Sequence, residues 1–255
     1  MDELASFHQY DSKTVERGLG DILPWVHGFP TGDSALEIAC SEPELICRAR
    51  SSRSARRGAD KVFFWLGAAA YTHPDVIMLW NGMNVARTAP AAEAAPWDTG
   101  GLETHGPDGR GRTAEQADDL IARYLLPIDD ARRYASHVIH VCFSSPADYV
   151  AGERPRTRQG RCWYPGHTDY GPLANVAPPC HTFEVRTDSP MPIDPQLYAI
   201  VVDPARVSST QLRELRVRAR RVPNCELFQC RDGERPFERT RELIAADLRT
   251  VGVIE

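Results

Sequence analysis

The sequence reads Thr182-Phe-Glu-Val-Arg186 and, after a proline-rich segment, Tyr198-Ala-Ile-Val-Val202. Each of these two stretches is predicted to form a strand, and the segment between them is predicted to form a bend. β-Branched and aromatic residues favour strands, and the intervening prolines favour a turn. Because side chains alternate along a strand, Thr182, Glu184 and Arg186 are expected on one face. This pair of strands is the starting point for predicting the fold.

Glu184 has two interpretations in this pattern. A carboxylate at a strand start, after a loop rich in Tyr, Asn and Gly, is suited to act as a polarising group or a general base. Alternatively, the strand is amphipathic, and Glu184 and Arg186 form a pair on its solvent face. Both interpretations stay open at the level of the sequence.

Further elements are predicted on both sides of this pair. Short apolar, β-branched segments indicate strands, whereas capping residues followed by helical spacing of apolar residues indicate helices. Two segments rich in proline and glycine, residues 86–112 and 144–180, are expected to be long loops. The predicted strands are Lys61–Leu66, Val76–Trp80, His137–Phe143 and Glu226–Gln229, and helices are predicted after Thr113, Ser208 and Pro236.

Short strands with few helices, and no strict β-α-β alternation, favour an α+β fold. We expect one α+β domain over residues 1–255, with a split or mixed β-sheet core, peripheral helices and the two long loops. No apolar run approaches the roughly 20 residues that a membrane-spanning helix needs, and the N-terminus does not resemble a signal peptide. The expectation is a cytoplasmic protein with no membrane partner.

The composition excludes some functional classes. With 30 basic and 35 acidic residues, the net charge of −5 argues against a protein whose whole surface binds nucleic acid. P-loop, HExxH, GxSxG and GxGxxG motifs are absent from the sequence. The seven cysteines follow no paired spacing, which is typical of free thiols in a reducing compartment.

Histidines and cysteines in the middle of the chain suggest one alternative function. A metal- or thiol-dependent hydrolase would use residues between 137 and 181, but no cluster has zinc-site spacing, so no metal ligands are assigned. Cys180 and His181 are adjacent, and on a strand they would face opposite ways. The candidate residues are His137, His140, His167, Cys180 and His181.

The stretch from Thr182 to Gln229 resembles the catalytic-glutamate strand of ADP-ribosyltransferases, and most resembles their DNA-base-modifying toxin branch. Phe7-His-Gln-Tyr-Asp-Ser12 stands where such enzymes often place a first strand, and Val62-Phe-Phe-Trp65 could be a later strand of the NAD pocket. The resemblance implies an ADP-ribosyltransferase-like fold and NAD as substrate. It also implies that Glu184 bonds the nicotinamide ribose while His8, Tyr10 and Thr182 help to hold NAD.

The acceptor of a transferred group is expected to be nucleic acid or protein, as for a toxin or a defence effector. Arg186, Trp163 and Tyr164 are candidates to bind it, because aromatic rings stack on bases and arginines neutralise phosphates. Asp98, in Asp98-Thr-Gly-Gly, is a candidate to activate the acceptor, or else it forms a turn. Arginines also cluster at 48–57 and, with Arg206 before it, on one face of the predicted 208–221 helix, as Arg213, Arg216 and Arg220.

Another interpretation of the sequence is a function without catalysis. The chain would be a ligand- or partner-binding module of a defence system, with the two long loops as its interaction surface.

Overall fold

The computed structural model describes residues 23–32, 34–45, 61–67, 72–82, 84–85, 89, 92–95, 126–127, 145–151, 153, 184–188 and 190–253. These residues fall into two compact units. The first, here called the sheet unit, holds the described residues of Leu23–Ala92 and Arg186–Ile244. The second unit holds the described residues of Glu93–Val185 and from Ala245 onward. The single-domain expectation stays a prediction.

The sheet unit is built on a mixed β-sheet, so the protein is α+β. Its strands stand in the order β10-β9-β4-β1-β3, and β7 follows β3. β10 runs parallel to β9, whereas the pairs β9–β4, β4–β1 and β1–β3 are antiparallel. A separate antiparallel pair joins β2 to β8. The strands are β1 (Trp25–Phe29), β2 (Glu44–Leu45), β3 (Lys61–Leu66), β4 (Val76–Trp80), β7 (Glu184–Asp188), β8 (Met191–Pro192), β9 (Leu197–Val202) and β10 (Glu226–Gln229). Of β7, the last three residues belong to the sheet unit and the first two to the second unit.

β4 lies at the centre of this sheet, and all five of its residues are fully buried. Such a continuous apolar run is typical of a strand that is covered on both faces. On one face Trp80 packs edge-on against Phe64, with ring centroids 5.3 Å apart, and its indole Nε1 donates to the carbonyl of Ile193 at 2.7 Å. The polar atom of a large core residue is therefore satisfied where it is buried.

Three helices flank the strands of the sheet unit. α1 (Ser34–Ser41) follows β1, α3 (Ser209–Arg221) joins β9 to β10, and α4 (Pro236–Thr250) follows β10. α3 begins with a capping box between Ser208 and Gln211, and its buried side carries Leu215 and Ala219. Reciprocal capping fixes the start of a helix because it satisfies backbone N–H groups that have no partner within the helix.

The structure confirms the predicted strands at Lys61–Leu66, Val76–Trp80 and Glu226–Gln229 and the helices after Ser208 and Pro236. The predicted strand at Tyr198–Val202 is also confirmed, as β9. Glu184, Val185 and Arg186 of the predicted segment Thr182–Arg186 lie in β7, whereas Thr182 and Phe183 lie outside the described residues. The predicted strand His137–Phe143 and the helix after Thr113 lie outside the described residues.

The loop expectations need a correction, because short elements interrupt both segments. β5 (Glu93–Ala95) lies in the first and pairs with β6 (Leu126–Pro127), and α2 (Pro146–Val150) lies in the second. Ser145 caps α2 by accepting from the backbone N–H of Asp148 at 3.2 Å. A serine cap followed by proline at the first helical position favours a helix, although the composition around it indicates a loop.

Candidate functional site

Glu184 stands at the first position of β7, and only 5% of it is exposed. This burial contradicts the alternative interpretation in which Glu184 lies on a solvent-exposed strand face. Burying a carboxylate is costly unless the group is partnered or has a chemical role. Glu184 is one of five buried polar or charged residues in the described part of the chain.

From Val185 onward, the side chains of β7 alternate between buried and half-buried, although Glu184 before them is also buried. Val185 and Thr187 are fully buried, whereas Arg186 and Asp188 are half-buried. Asp188 forms an ion pair with Nζ of Lys61, the first residue of β3. Because Asp188 and Arg186 share one side of β7, this ion pair shows that they lie on the same face of the sheet as Lys61.

β3 shows the same alternation next to β7. Its residues Val62, Phe64 and Leu66 are buried. Phe63 is 36% exposed and Trp65 is half-buried, on the side that also carries Lys61. We call this surface the β3–β7 face, and it consists of Lys61, Phe63, Trp65, Arg186 and Asp188.

Trp65 leans across β1, the strand on the other side of β3. A Cβ atom placed on Gly28 would lie 3.3 Å from Cη2 of Trp65 and 2.6 Å from Cγ of Pro74. Only glycine leaves room for both rings, because any side chain there would have to displace the proline or the indole. The indole of Trp65 is thus held against the β1 backbone, next to the exposed ring of Phe63.

An aromatic layer supports β3 from the opposite side of the sheet. Nδ1 of His27 donates to the backbone carbonyl of Phe63, and the His27 ring lies 4.5 Å from Phe29 and 5.5 Å from Phe64 between centroids. A side-chain bond to this carbonyl ties β1 to β3 beyond their paired residues Val26 and Trp65. The backbone that presents Phe63 is therefore fixed.

The β3–β7 face combines groups that suit a nucleotide-like ligand. Aromatic rings stack on planar heterocycles, and a guanidinium forms paired hydrogen bonds to phosphate oxygens. Phe63 and Trp65 supply the rings, and Arg186 supplies the guanidinium. β7 carries Glu184 two positions before Arg186, hence on the same side of that strand.

Of the predicted site residues, the structure describes Glu184 and Arg186, which both lie on β7, and the arginines on and before α3. The other candidates lie outside the described residues, as do the four middle histidines and Cys180. These candidates are His8, Tyr10, Asp98, Trp163, Tyr164 and Thr182.

The sequence interpretation included Val62–Trp65 as a possible strand of an NAD pocket, but it did not include Lys61 or Asp188 in any site. The alternation of Lys61, Phe63 and Trp65 with buried aliphatic and aromatic residues gives a signal for β3. No sequence signal shows that Asp188 meets Lys61, because the two are 127 positions apart.

The three cysteines that the structure describes are free thiols of low reactivity. Burial raises the pKa of Cys40, Cys225 and Cys230 to about 12 each, so each thiol stays protonated at neutral pH. A protonated thiol is a poor nucleophile. Within the described ranges, no three His, Cys, Asp or Glu residues are placed to hold a metal ion.

Among the helices that the structure describes, none is both long and apolar enough to cross a membrane. The chain matches no protein-family model and no curated protein.

Proposed function

We propose that the protein is an NAD-dependent mono-ADP-ribosyltransferase that uses Glu184 on β7 and modifies nucleic acid or protein. The observation that carries the proposal is the burial of Glu184, which is 5% exposed at the first position of β7. The β3–β7 face supports it, because it offers the aromatic and cationic groups that a dinucleotide needs.

The proposed reaction breaks the bond between C1′ of a ribose and the nicotinamide nitrogen of NAD. Positive charge develops at C1′ and the ring oxygen as neutral nicotinamide leaves with the bonding electrons. The Glu184 carboxylate accepts a hydrogen bond from the ribose 2′-hydroxyl and stabilises this charge. A nucleophile of the acceptor then bonds to C1′ and releases its proton, which balances the reaction.

The β3–β7 face takes the rest of the NAD molecule in this proposal. Phe63 stacks on one of the planar rings, and Arg186 neutralises the diphosphate. Lys61 and Asp188 neutralise each other, so they anchor β7 to β3 rather than bind the ligand.

Glu184→Gln tests the proposal, because it preserves the size of the side chain and removes its charge. We expect nicotinamide release, measured with mixed DNA, RNA and protein acceptors, to fall about 10²- to 10³-fold, the usual cost of losing one group that stabilises transition-state charge. NAD binding, measured by calorimetry, should change much less.

Glu226→Gln is the matched control, because Glu226 is an exposed glutamate on another strand, β10. It should release nicotinamide at the wild-type rate. The proposal fails if the folded wild-type protein neither binds nor consumes NAD with any of the acceptors. It also fails if both variants retain wild-type turnover.

A further inference from the structure

One face of α3 presents arginines to solvent. Arg213, Arg216 and Arg220 are all exposed, and Val217 among them is 56% exposed. At 3.6 residues per turn, these four positions fall within an arc of about 100°. The buried residues Leu215, Ala219 and Val222 lie on the opposite side of the helix. We call the exposed surface formed by Arg213, Arg216, Val217 and Arg220 the arginine face.

The charges of the arginine face are not neutralised by carboxylates in the described part of the chain. Nη2 of Arg216 donates a hydrogen bond to the side-chain amide oxygen of Gln229 at 3.2 Å. This bond orients the guanidinium but does not neutralise its charge. By contrast, Arg218 and Arg221 of the same helix both form ion pairs with Asp194. The helix thus uses the charges of two arginines in ion pairs within the protein and leaves the charges of the other three facing solvent.

The ordinary reasons for arginine in a helix explain only part of this pattern. Basic residues in the last turn interact favourably with the helix dipole, which accounts for Arg220 and Arg221. Arg213 and Arg216 lie earlier in the helix, beyond the reach of that effect. An exposed row of three like charges also repels itself, so a binding partner of opposite charge would relieve the repulsion.

The spacing suits a phosphate backbone. Arg213 and Arg220 are separated by about 10 Å along the helix axis, at 1.5 Å per residue. A nucleic-acid strand presents one phosphate for about every 3.4 Å of duplex axis, so three phosphates fit alongside this row. Arginine forms paired hydrogen bonds to phosphate oxygens, whereas lysine acts as a point charge. The chain is arginine in all but two of its 30 basic positions, with Lys13 and Lys61 as the exceptions.

We propose that the arginine face of α3 binds the phosphate backbone of a nucleic acid. A regular row of charges on a rigid, capped helix fits the regular charges of a nucleic acid better than an acidic protein segment, whose carboxylates have no fixed spacing. The net charge of the chain is −5, so this binding depends on a local surface and not on the overall charge.

The test measures binding of the full chain to fluorescent duplex DNA, single-stranded DNA and duplex RNA by anisotropy, at 50 to 200 mM salt. A plot of log affinity against log salt has a negative slope. For duplex DNA, Arg213→Ala/Arg220→Ala should make this slope less steep by about 1.8, because each lost phosphate contact accounts for about 0.9. The affinity of this double variant for duplex DNA at 0.1 M salt should be about 10- to 100-fold lower than that of the wild type. The three probes distinguish DNA from RNA as the source of the phosphates.

Arg249→Glu is the control, because it changes the net charge by the same two units at an exposed residue of α4. It should bind within about twofold of the wild type. Equal losses in both variants, or no binding by the folded wild type, would overturn the proposal. Binding of poly-glutamate through the same arginines, without binding of any nucleic acid, would assign the face to an acidic protein and also overturn it. No NAD is present, so the result is independent of the proposed transferase activity.

Discussion

Arg218 connects separate parts of the sheet unit through one side chain. It is 1% exposed, and its guanidinium contacts the carboxylate of Asp194 and the backbone carbonyls of Cys40 and Glu42. A buried arginine is tolerated when most of its donors meet acceptors. Here both terminal nitrogens of Arg218 have acceptors, at the end of α1 and in the loop before β9, whereas its buried Nε has no hydrogen-bond partner among the described residues. Arg218 thus fixes α3 to both segments.

Removing this guanidinium should destabilise the fold strongly. We expect Arg218→Met to lower the free energy of unfolding by about 1.5 to 3 kcal/mol, because the ion pair with Asp194 and the charge-assisted hydrogen bonds to two carbonyls are lost. Urea denaturation measures the change. Arg221→Met is the control, because Arg221 is 56% exposed and contacts the same carboxylate, and it should cost at most about 1 kcal/mol. Similar losses in the two variants would contradict a special role for Arg218.

At the residue scale, the sequence predicted only part of this arrangement. The apolar positions Leu215 and Ala219 were predictable from helical spacing, and both are buried. Arg218 breaks that pattern, since arginine is rarely fully buried, and its acceptors lie 24 and 176 positions away. Likewise, Glu184 was identified as a candidate, but its burial depends on contacts that alternation along one strand cannot reveal.

The turn after β3 is an element whose geometry depends on one glycine. Gly67 has a positive φ of 67°, and its N–H donates to the carbonyl of Pro24 at 2.7 Å. A Cβ atom there would lie 2.5 Å from Cδ2 of Leu23, which is fully buried. Both the backbone conformation and the packing therefore require glycine at this position.

Gly67→Ala should destabilise the protein more than an alanine at a glycine with a similar φ and open surroundings. Gly233 provides that comparison, because its φ is 81° and a Cβ atom there would have no neighbour within 4 Å. Gly233→Ala should cost about 1 to 2 kcal/mol for the left-handed backbone alone. Gly67→Ala should cost about 1 to 3 kcal/mol more, from overpacking against Leu23. Equal midpoints in thermal unfolding would show that Leu23 moves away freely.

At the element scale, the sequence predicted the C-terminal half of the sheet unit best. The signals there are local: Ser208 caps α3, Pro236 opens α4, and β9 is a run of β-branched residues. β2 and β8 could not be predicted, because each has two residues and exists only through pairing with the other. α2 was not predicted, because the prolines and glycines around it indicate a loop.

For the whole molecule, the buried thiols link stability to pH. The ordinary pKa of a cysteine is 9.0, and burial raises it to about 12 for Cys40, Cys225 and Cys230. Between these values the unfolded chain loses thiol protons that the native state retains. Stability that is complete below pH 9 must therefore decrease as the pH rises from about 9 toward 12.

This dependence can be measured by urea denaturation between pH 8 and pH 10.5. Cys225→Ala removes one of the three contributions at a half-buried site, so its stability should decrease less steeply with pH than that of the wild type. Native protein at pH 8 should also leave the two buried cysteines, Cys40 and Cys230, unmodified by iodoacetamide, with mass spectrometry to locate the label. Rapid labelling of any of them without unfolding would contradict the burial.

The pairing of β4 with β9 has a consequence for synthesis on the ribosome. Val76 pairs with Val202, which is translated 126 positions later. At about 5 to 20 residues per second, the nascent chain carries β4 for about 6 to 25 seconds before its partner strand exists. Throughout that delay, β4, whose five residues end fully buried, has β1 beside it in the sheet but lacks its other neighbour, β9. Production in a cell should therefore depend on chaperones that bind exposed apolar segments, more than the modest size of the chain suggests.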